Sequence, residues 1–305
     1  MMFKPLVPED YTAYQPFFKQ QKNRLCLYSL PSLIVWNNDI IEPYAAVLDD
    51  SLLVAIKYRS ENKIRHLVLP ISPEREHSPS ELHRLTVDLD CKQIRFIPED
   101  YVKKYSIEHL KTYFFVYEEP EFEDYIYRTD DLAELKGNEY SKKRNLINQF
   151  EKEYLTGNRV AIEPIMEEKA SECIEFLEQW CEERGCDDTD RKDELACEKQ
   201  AAINAIQNLS RIHMKGILIR VDQVVSAFGI ASHLTNNMGV LHFEKAFASI
   251  KGLYQYFDRE CARRLFENYT YINKESDMGI PGLAKSKKSY HPVMRIKSFK
   301  LVAKE

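Results

Sequence analysis

No window of this chain approaches the roughly eighteen consecutive apolar residues of a membrane-crossing helix, and the opening Met-Met-Phe-Lys-Pro-Leu-Val-Pro-Glu-Asp has no apolar run of signal-peptide length. The expected location is the cytoplasm. Cysteine occurs seven times, an odd number with no Cys-x-x-Cys pair, which argues against a disulfide framework and against a cysteine zinc site. Cys181 and Cys186, the closest pair, read as reduced bystanders. His233 and His242 fall on neighbouring expected strands, but no third ligand stands at metal spacing, so no metal is expected. There is no nucleophile elbow, Walker glycine loop or dinucleotide fingerprint, which removes the hydrolase, kinase and dehydrogenase readings those motifs would carry. There is also no arginine-rich stripe of a general nucleic-acid binder.

What is present describes an ordinary globular protein, with 44% hydrophobic and 30% charged residues in a chain of 305. That length favours two domains, each able to bury its own core. The net charge of −5 is unevenly spread: residues 160–199 hold fourteen acids against five bases, and residues 283–305 hold seven bases against one acid. The basic end suits an anion or a solvated surface.

Hydrophobic periodicity gives the order of elements. A helix is expected over Tyr11 to Gln21 with Tyr14, Phe17 and Phe18 inward, then a hairpin of Tyr44–Leu48 and Leu52–Tyr58 turning at Asp49-Asp50-Ser51. A strand over Ile64–Ile71, a helix over Ser80–Val87, and strands at Gln93–Ile97 and Tyr113–Tyr117 follow, before the polar linker that starts at Glu118. A connecting helix over 139–154 carries Leu146, Ile147, Phe150 and Tyr154 at spacings of three and four. Its first turn holds Lys142, Lys143 and Arg144, bases where the helix dipole favours acids, which invites a functional motive such as phosphate binding. The second half reads as strand Arg159–Glu163, helices Met166–Arg184 and Arg191–Leu209, and strands Gly216–Val221, Val224–Ser232 and Val240–Phe247. Helix Gly252–Phe266, strand Tyr269–Asn273, a short helix Pro281–Lys288 and a last strand Val293–Leu301 complete it.

The densest signal is Asn273-Lys-Glu-Ser-Asp-Met-Gly-Ile-Pro-Gly-Leu-Ala-Lys-Ser-Lys-Lys-Ser-Tyr-His-Pro292, where acids, glycines, lysines and a tyrosine crowd the end of a strand. Glu275 and Asp277 are one strand period apart and share a face if the strand runs that far.

The order of elements is similar to the GNAT acyltransferase fold. The segments Asp131 to Phe150 and Asn273 to Pro292 resemble the soluble family named for the phosphatidylglycerol lysyltransferase C-terminal domain, and the resemblance covers essentially the whole chain. It implies an α/β (α+β) protein of two GNAT-like domains in tandem, each a mixed, mostly antiparallel sheet flanked by helices. Their expected extents are residues 1–122 and 123–305, the second including the connecting helix and the better-formed site. It further implies an acyl or aminoacyl transferase that moves an activated acyl group by direct attack of an amine or hydroxyl. The donor is charged transfer RNA or an acyl-coenzyme A, and no cofactor is tightly bound. The hydrophobic flippase half of membrane-bound lysyltransferases is absent from this sequence, so a small-molecule acceptor stands beside a lipid headgroup.

The resemblance also assigns residues. Glu244, mid-strand where GNAT-type chemistry occurs, is the expected base, with Asp277 and Tyr290 as further catalytic candidates; Tyr290 stands where a tyrosine protonates a leaving thiolate. His242, on the face of Glu244, joins Asn273 and Glu275 as substrate-binding candidates. The turn Ala248-Ser249-Ile250-Lys251-Gly252-Leu253-Tyr254 matches the coenzyme A cradle but keeps only Gly252 of its glycines. Ser249, Lys251, Gly252 and Leu253 are the donor or phosphate candidates there, with Lys142, Lys143, Arg144 and Lys285 as basic contacts. The lost glycines also motivate a rival reading, a degenerate transferase fold kept as a binding module, and the basic segments at Ser141–Arg144 and the C-terminus motivate another, a nucleic-acid binder.

Overall fold

The computed structural model describes residues 2–60, 63–184 and 192–305; Cys186 lies outside them. The first half opens with β1 (Lys4–Pro5) and α1 (Tyr11–Tyr14), which passes into a 3₁₀ turn over Gln15–Phe18. The longer helix expected here is cut short because Pro16 has no N–H to continue the ladder, and Tyr11 is buried whereas Tyr14, Phe17 and Phe18 are only half-buried. Helix α2 (Leu30–Val35), buried along its whole length, was not legible because it has no polar face to create a period. Strands β2 (Ile41–Leu48) and β3 (Ser51–Tyr58) form the expected hairpin, with Asp49 at φ 52° in its turn. β4 (Ile64–Val68) stops short of Pro70. Helix α3 (Pro79–Asp88), started by a Ser78–Glu81 capping box, returns the chain to β5 (Gln93–Pro98), parallel to β4. Helices α4 (Glu99–Tyr105) and α5 (Ile107–Tyr113) and strand β6 (Phe114–Glu118) follow.

The second half begins with β7 (Asp124–Arg128), α6 (Thr129–Glu134) and α7 (Ser141–Tyr154). Next come β8 (Val160–Pro164), α8 (Ala170–Arg184) and α9 (Lys192–Asn208), then the antiparallel run β9 (Lys215–Val221), β10 (Val224–Thr235) and β11 (Met238–Ala246). Helix α10 (Leu253–Leu265) crosses over to β12 (Tyr271–Asn273), and α11 (Pro281–Lys288), β13 (Met294–Ile296) and β14 (Ser298–Ala303) end the chain.

These strands build two mixed, mostly antiparallel sheets flanked by helices, one after the other, as the α/β expectation held. Their orders are β1-β2-β3-β4-β5-β14-β6 and, read in the same sense, β8-β9-β10-β11-β12-β7-β13. The two correspond place for place, including the one parallel pair after a helical crossover, β4 with β5 and β11 with β12. In the sixth place, however, the chain's last strand sits in the first sheet and β7, from the junction, sits in the second, so the halves have exchanged strands. The stretch expected as one strand over Val293–Leu301 is therefore two: Met294–Ile296 pairs with β7 and Ser298–Ala303 lies between β5 and β6. A single residue, Lys297, carries the chain between sheets, a step that alternation of side chains does not register.

One consequence positions the site. β12 pairs with β11 only through Tyr271–Asn273 against Met238–Val240, so the remainder of β11, from Leu241 on, has no parallel partner. A wedge opens there, floored by α10, whose Leu253, Phe257 and Cys261 face the sheet and are fully buried.

Candidate functional site

Two consecutive residues just beyond β12 close this wedge. The Lys274 ammonium lies 2.7 Å from Glu244 Oε2 and 2.7 Å from Asp258 Oδ1 on α10. The Glu275 carboxylate lies 2.8 Å from His242 Nδ1. Alternation along β11 puts His242 and Glu244 on one face, so the pairs 274–244 and 275–242 stand side by side. Burial, with the charge of Asp258, raises the Glu244 carboxyl to about 7 against the opposing pull of Lys274. Burial works against the Lys274 ammonium, but Asp258 and Glu244 outweigh it and hold its pKa well above the ordinary lysine value. Tyr290, 8% exposed, stands over the cluster with its ring 5.4 Å from Lys274 Nζ and 3.8 Å from Lys143 Nζ. Its hydroxyl is pushed up by burial and then by Asp258. Lys143 is lowered by burial and donates to Ser289 Oγ at 2.8 Å, which ties α7 to the end of α11.

His242 continues the network toward the first half. Its Nε2 is 2.7 Å from Ser232 Oγ, which is 2.7 Å from the hydroxyl of Ser29, the residue just before α2. Beside this chain, Asn273 donates to Arg24 O at 2.8 Å and to Asp124 Oδ2 at 2.8 Å, and accepts from Glu275 N at 2.7 Å. The Asp124 carboxylate also accepts from Cys26 N at 2.6 Å; burial raises it to about 6. Asn273 thus has its donors and acceptor committed, its amide group bonding across the halves to Arg24 and to Asp124, and its oxygen fixing the Glu275 turn. The Lys287 ammonium donates to the carbonyls of Lys274 and Glu275, fixing the turn that carries both; burial lowers its pKa.

The remaining candidates are placed as follows. β12 ends at Asn273 and Glu275 turns at φ 59°, so Glu275 and Asp277 do not share a strand face. Asp277 accepts from Tyr125 Oη at 2.6 Å and from Gly279 N at 2.9 Å, which makes it the brace of the 277–280 turn. Gly252 is at φ 82°, and a Cβ there would sit 2.2 Å from Leu146 O of α7, so this glycine permits the close packing of α7 on the start of α10. The Leu253 amide is bonded to Ile250 O, while Ser249 and Lys251 are exposed. In the first turn of α7, Lys142 is exposed, Lys143 enters the Tyr290 contact, and Arg144 donates to Leu135 O and Gly137 O beyond the end of α6. That bond answers, for Arg144, why a base sits where the dipole disfavours it. Lys285 and Lys288 are exposed on α11.

The sequence did not single out Asp258, Lys274, Ser232 or Ser29. A signal existed for Asp258, which falls within the apolar stripe of α10 three residues before Cys261. The others are united only by the fold. A separate cleft of about 370 Å³, lined by Asn37, Asn38, Arg59, Gln200, Asn204 and Asn208 among others, shares no residue with the cluster. Among the described residues, no helix is long and apolar enough to cross a membrane.

Residues 52–301 match the family described as phosphatidylglycerol lysyltransferase, C-terminal. A conserved protein of unknown function from Bacteroides thetaiotaomicron has a solved structure that superposes with a TM-score of 0.86 at 28% identity, covering 99% of each chain. The C-terminal domain of a putative lysylphosphatidylglycerol synthetase from Agrobacterium fabrum has the same fold, with a TM-score of 0.64 at 10% identity over 96% of this chain and 90% of that one. An uncharacterized protein of Mycoplasmoides gallisepticum is 26% identical over 58% of this chain, and the match spans 54% of that relative's length.

Proposed function

The chain belongs to the phosphatidylglycerol lysyltransferase C-terminal family, and we propose that it is an acyl or aminoacyl transferase whose centre is the wedge between β11 and β12. The observation that carries this reading is Glu244, a largely buried carboxylate on the central strand, 2.7 Å from the Lys274 ammonium at the wedge, whose carboxyl burial pushes up to about 7. A base tuned close to the working pH accepts the proton of an attacking amine or hydroxyl most effectively. The donor is already an activated ester or thioester, so positioning supplies much of the remaining acceleration. Asp258 and Lys274 set the charge of Glu244, and Tyr290 and Lys143 roof the site.

Of the two donor classes, charged transfer RNA fits better than a coenzyme A thioester. Helix α7 packs on Gly252, where a coenzyme A cradle would need open backbone amides. The exposed Lys142, Lys285 and Lys288 supply phosphate contacts at the joined ends of α7 and α11. The acceptor is an amine or hydroxyl, of a small molecule or of a lipid headgroup as in the family's description. Native mass spectrometry with coenzyme A thioesters and bulk aminoacylated transfer RNA offered together tests the choice. Retention of charged transfer RNA is expected; retention of a thioester alone reverses it.

A second reading, a binding module without turnover, is favoured by one observation: Lys274 pairs with both Glu244 and Asp258, leaving the cluster's charges answered from within. Retention of ligand with no product would support it.

A further inference from the structure

We propose that Ser232, His242 and Glu275 form a nucleophilic triad, giving the protein an ester-cleaving activity separate from the transfer assigned to Glu244. The distances are those such a unit requires: Ser232 Oγ to His242 Nε2 is 2.7 Å, and His242 Nδ1 to Glu275 Oε1 is 2.8 Å. A carboxylate facing Nδ1 keeps the proton on that nitrogen, which leaves Nε2 free to accept from the serine hydroxyl. With Ser232 donating to His242, the Ser29 hydroxyl at 2.7 Å donates to Ser232 Oγ and holds it in the orientation that faces the imidazole.

Three local features set this chain of contacts apart from an ordinary buried hydrogen bond. The pairing of β10 with β11 slips on both sides of Ser232, between Ile230 and Ala231 and between His233 and Thr235, and such irregularities re-aim side chains. Glu275 is held at φ 59°, a left-handed conformation costly for a residue other than glycine, by Asn273 Oδ1 on its amide and Lys287 on its carbonyl. The His242 side chain is 1% exposed and bonded at both ring nitrogens, so the imidazole is fixed in one orientation between Ser232 and Glu275. No sequence motif announces the triad because its members come from two adjacent strands and a turn, and such units are defined by geometry rather than order.

The reaction balances without a cofactor. Ser232 Oγ attacks the carbonyl carbon of an ester, its proton passing to His242 Nε2. The new Oγ–C bond forms as the ester C–O bond breaks, and His242 returns the proton to the departing alcohol. Water then repeats the sequence on the acyl-serine, releasing the acid and restoring Ser232.

The test uses the full chain and a fluorophosphonate, which labels activated serines without knowledge of the natural ester. Intact mass after incubation is expected to show one adduct, and peptide mapping to place it on Ser232. His242→Gln is expected to slow labelling at least about a hundredfold, with circular dichroism and melting temperature reporting that the variant is folded. Ser226→Ala, on the same strand but outside the triad, is expected to label as the wild type does. An adduct at any other serine, no adduct on folded wild type, or unchanged labelling of folded His242→Gln overturns the proposal. Because the probe needs neither charged transfer RNA nor an acceptor, these outcomes are independent of the transferase reading.

Discussion

Lys274 places its ammonium 2.7 Å from Glu244 Oε2, so the wedge where β12 leaves β11 is closed by an ion pair rather than by apolar packing. The same ammonium is shared with Asp258, whose side chain is 4% exposed. Two carboxylates this close are tolerated in a largely buried place because one cation serves both.

Removing that cation leaves two buried carboxylates facing each other. Lys274→Met is expected to destabilise the fold by about 3–5 kcal/mol at pH 8, the usual cost of stranding a buried charge. The loss shrinks as pH falls, because Glu244 then takes up a proton. In the wild type, burial and the charge of Asp258 push the Glu244 carboxyl up to about 7, above the ordinary carboxylate value of about 4.3. The folded state therefore holds the extra proton between those values, and this group's contribution to stability falls as pH rises across that window. Urea denaturation of both proteins from pH 5 to 8 measures each effect.

Glu244→Gln removes the base while keeping the shape. Transfer is expected to fall about a hundredfold or more. In the wild type kcat/KM is expected to rise with pH through about 7, as the carboxyl of Glu244 loses its proton; that ascending limb is expected to disappear in the variant. A pH–rate profile checks both, and an unaltered profile removes Glu244 from the role.

Gly252→Ala tests why the glycine is there. Its φ of 82° and a Cβ only 2.2 Å from Leu146 O predict a loss of about 2–4 kcal/mol, from left-handed strain and overpacking together. The α7–α10 contact has to open to admit the methyl, which equilibrium unfolding detects. A neutral substitution would return Gly252 to the list of phosphate-cradle residues.

Deleting residues 298–305 takes β14 out of the first sheet, although the deletion is at the far end of the chain from that sheet's other strands. Leu301 is fully buried, and β5 and β6 lose their shared partner. The truncated chain is expected to aggregate through the unpaired edges, measured as loss of soluble protein; a soluble, cooperatively melting product would deny the exchange a structural role.

If Lys142, Lys285 and Lys288 contact phosphates, replacing each with Ala weakens binding of transfer RNA and lowers the slope of log affinity against log salt by about one per residue. Filter binding across a salt series measures it.

The sequence displayed most elements of this fold because amphipathic period survives in helices such as α3, α7 and α10 and in strands that bury one face. It did not display α2, which is buried all round, or the passage at Lys297 from one sheet to the other. Glu244, with His242 on its face, was legible mid-strand through the resemblance, and Glu275 and Tyr290 as unusual residues in the segment that follows a strand end; the fold gathers all four around one wedge. Asp277 drew notice for the same reason and serves a turn, since polar residues at strand ends brace loops as readily as they line sites. Lys274 lay beside Glu275 without distinction: only the early end of β12 sends its side chain inward to Glu244 and Asp258. Ser29 and Ser232, about two hundred positions apart, meet because the two halves pack on each other.

The most direct measurement is transfer of radiolabel from bulk aminoacylated transfer RNA, with the protein, phosphatidylglycerol vesicles and a mixture of small amines present, the label followed into lipid, amine adduct and free amino acid. The account predicts label in a lipid or amine product with wild type, and at least about a hundredfold slower appearance with Glu244→Gln. Label that stays on the RNA at the protein-free rate, with wild type folded and binding charged and uncharged RNA equally, would contradict it.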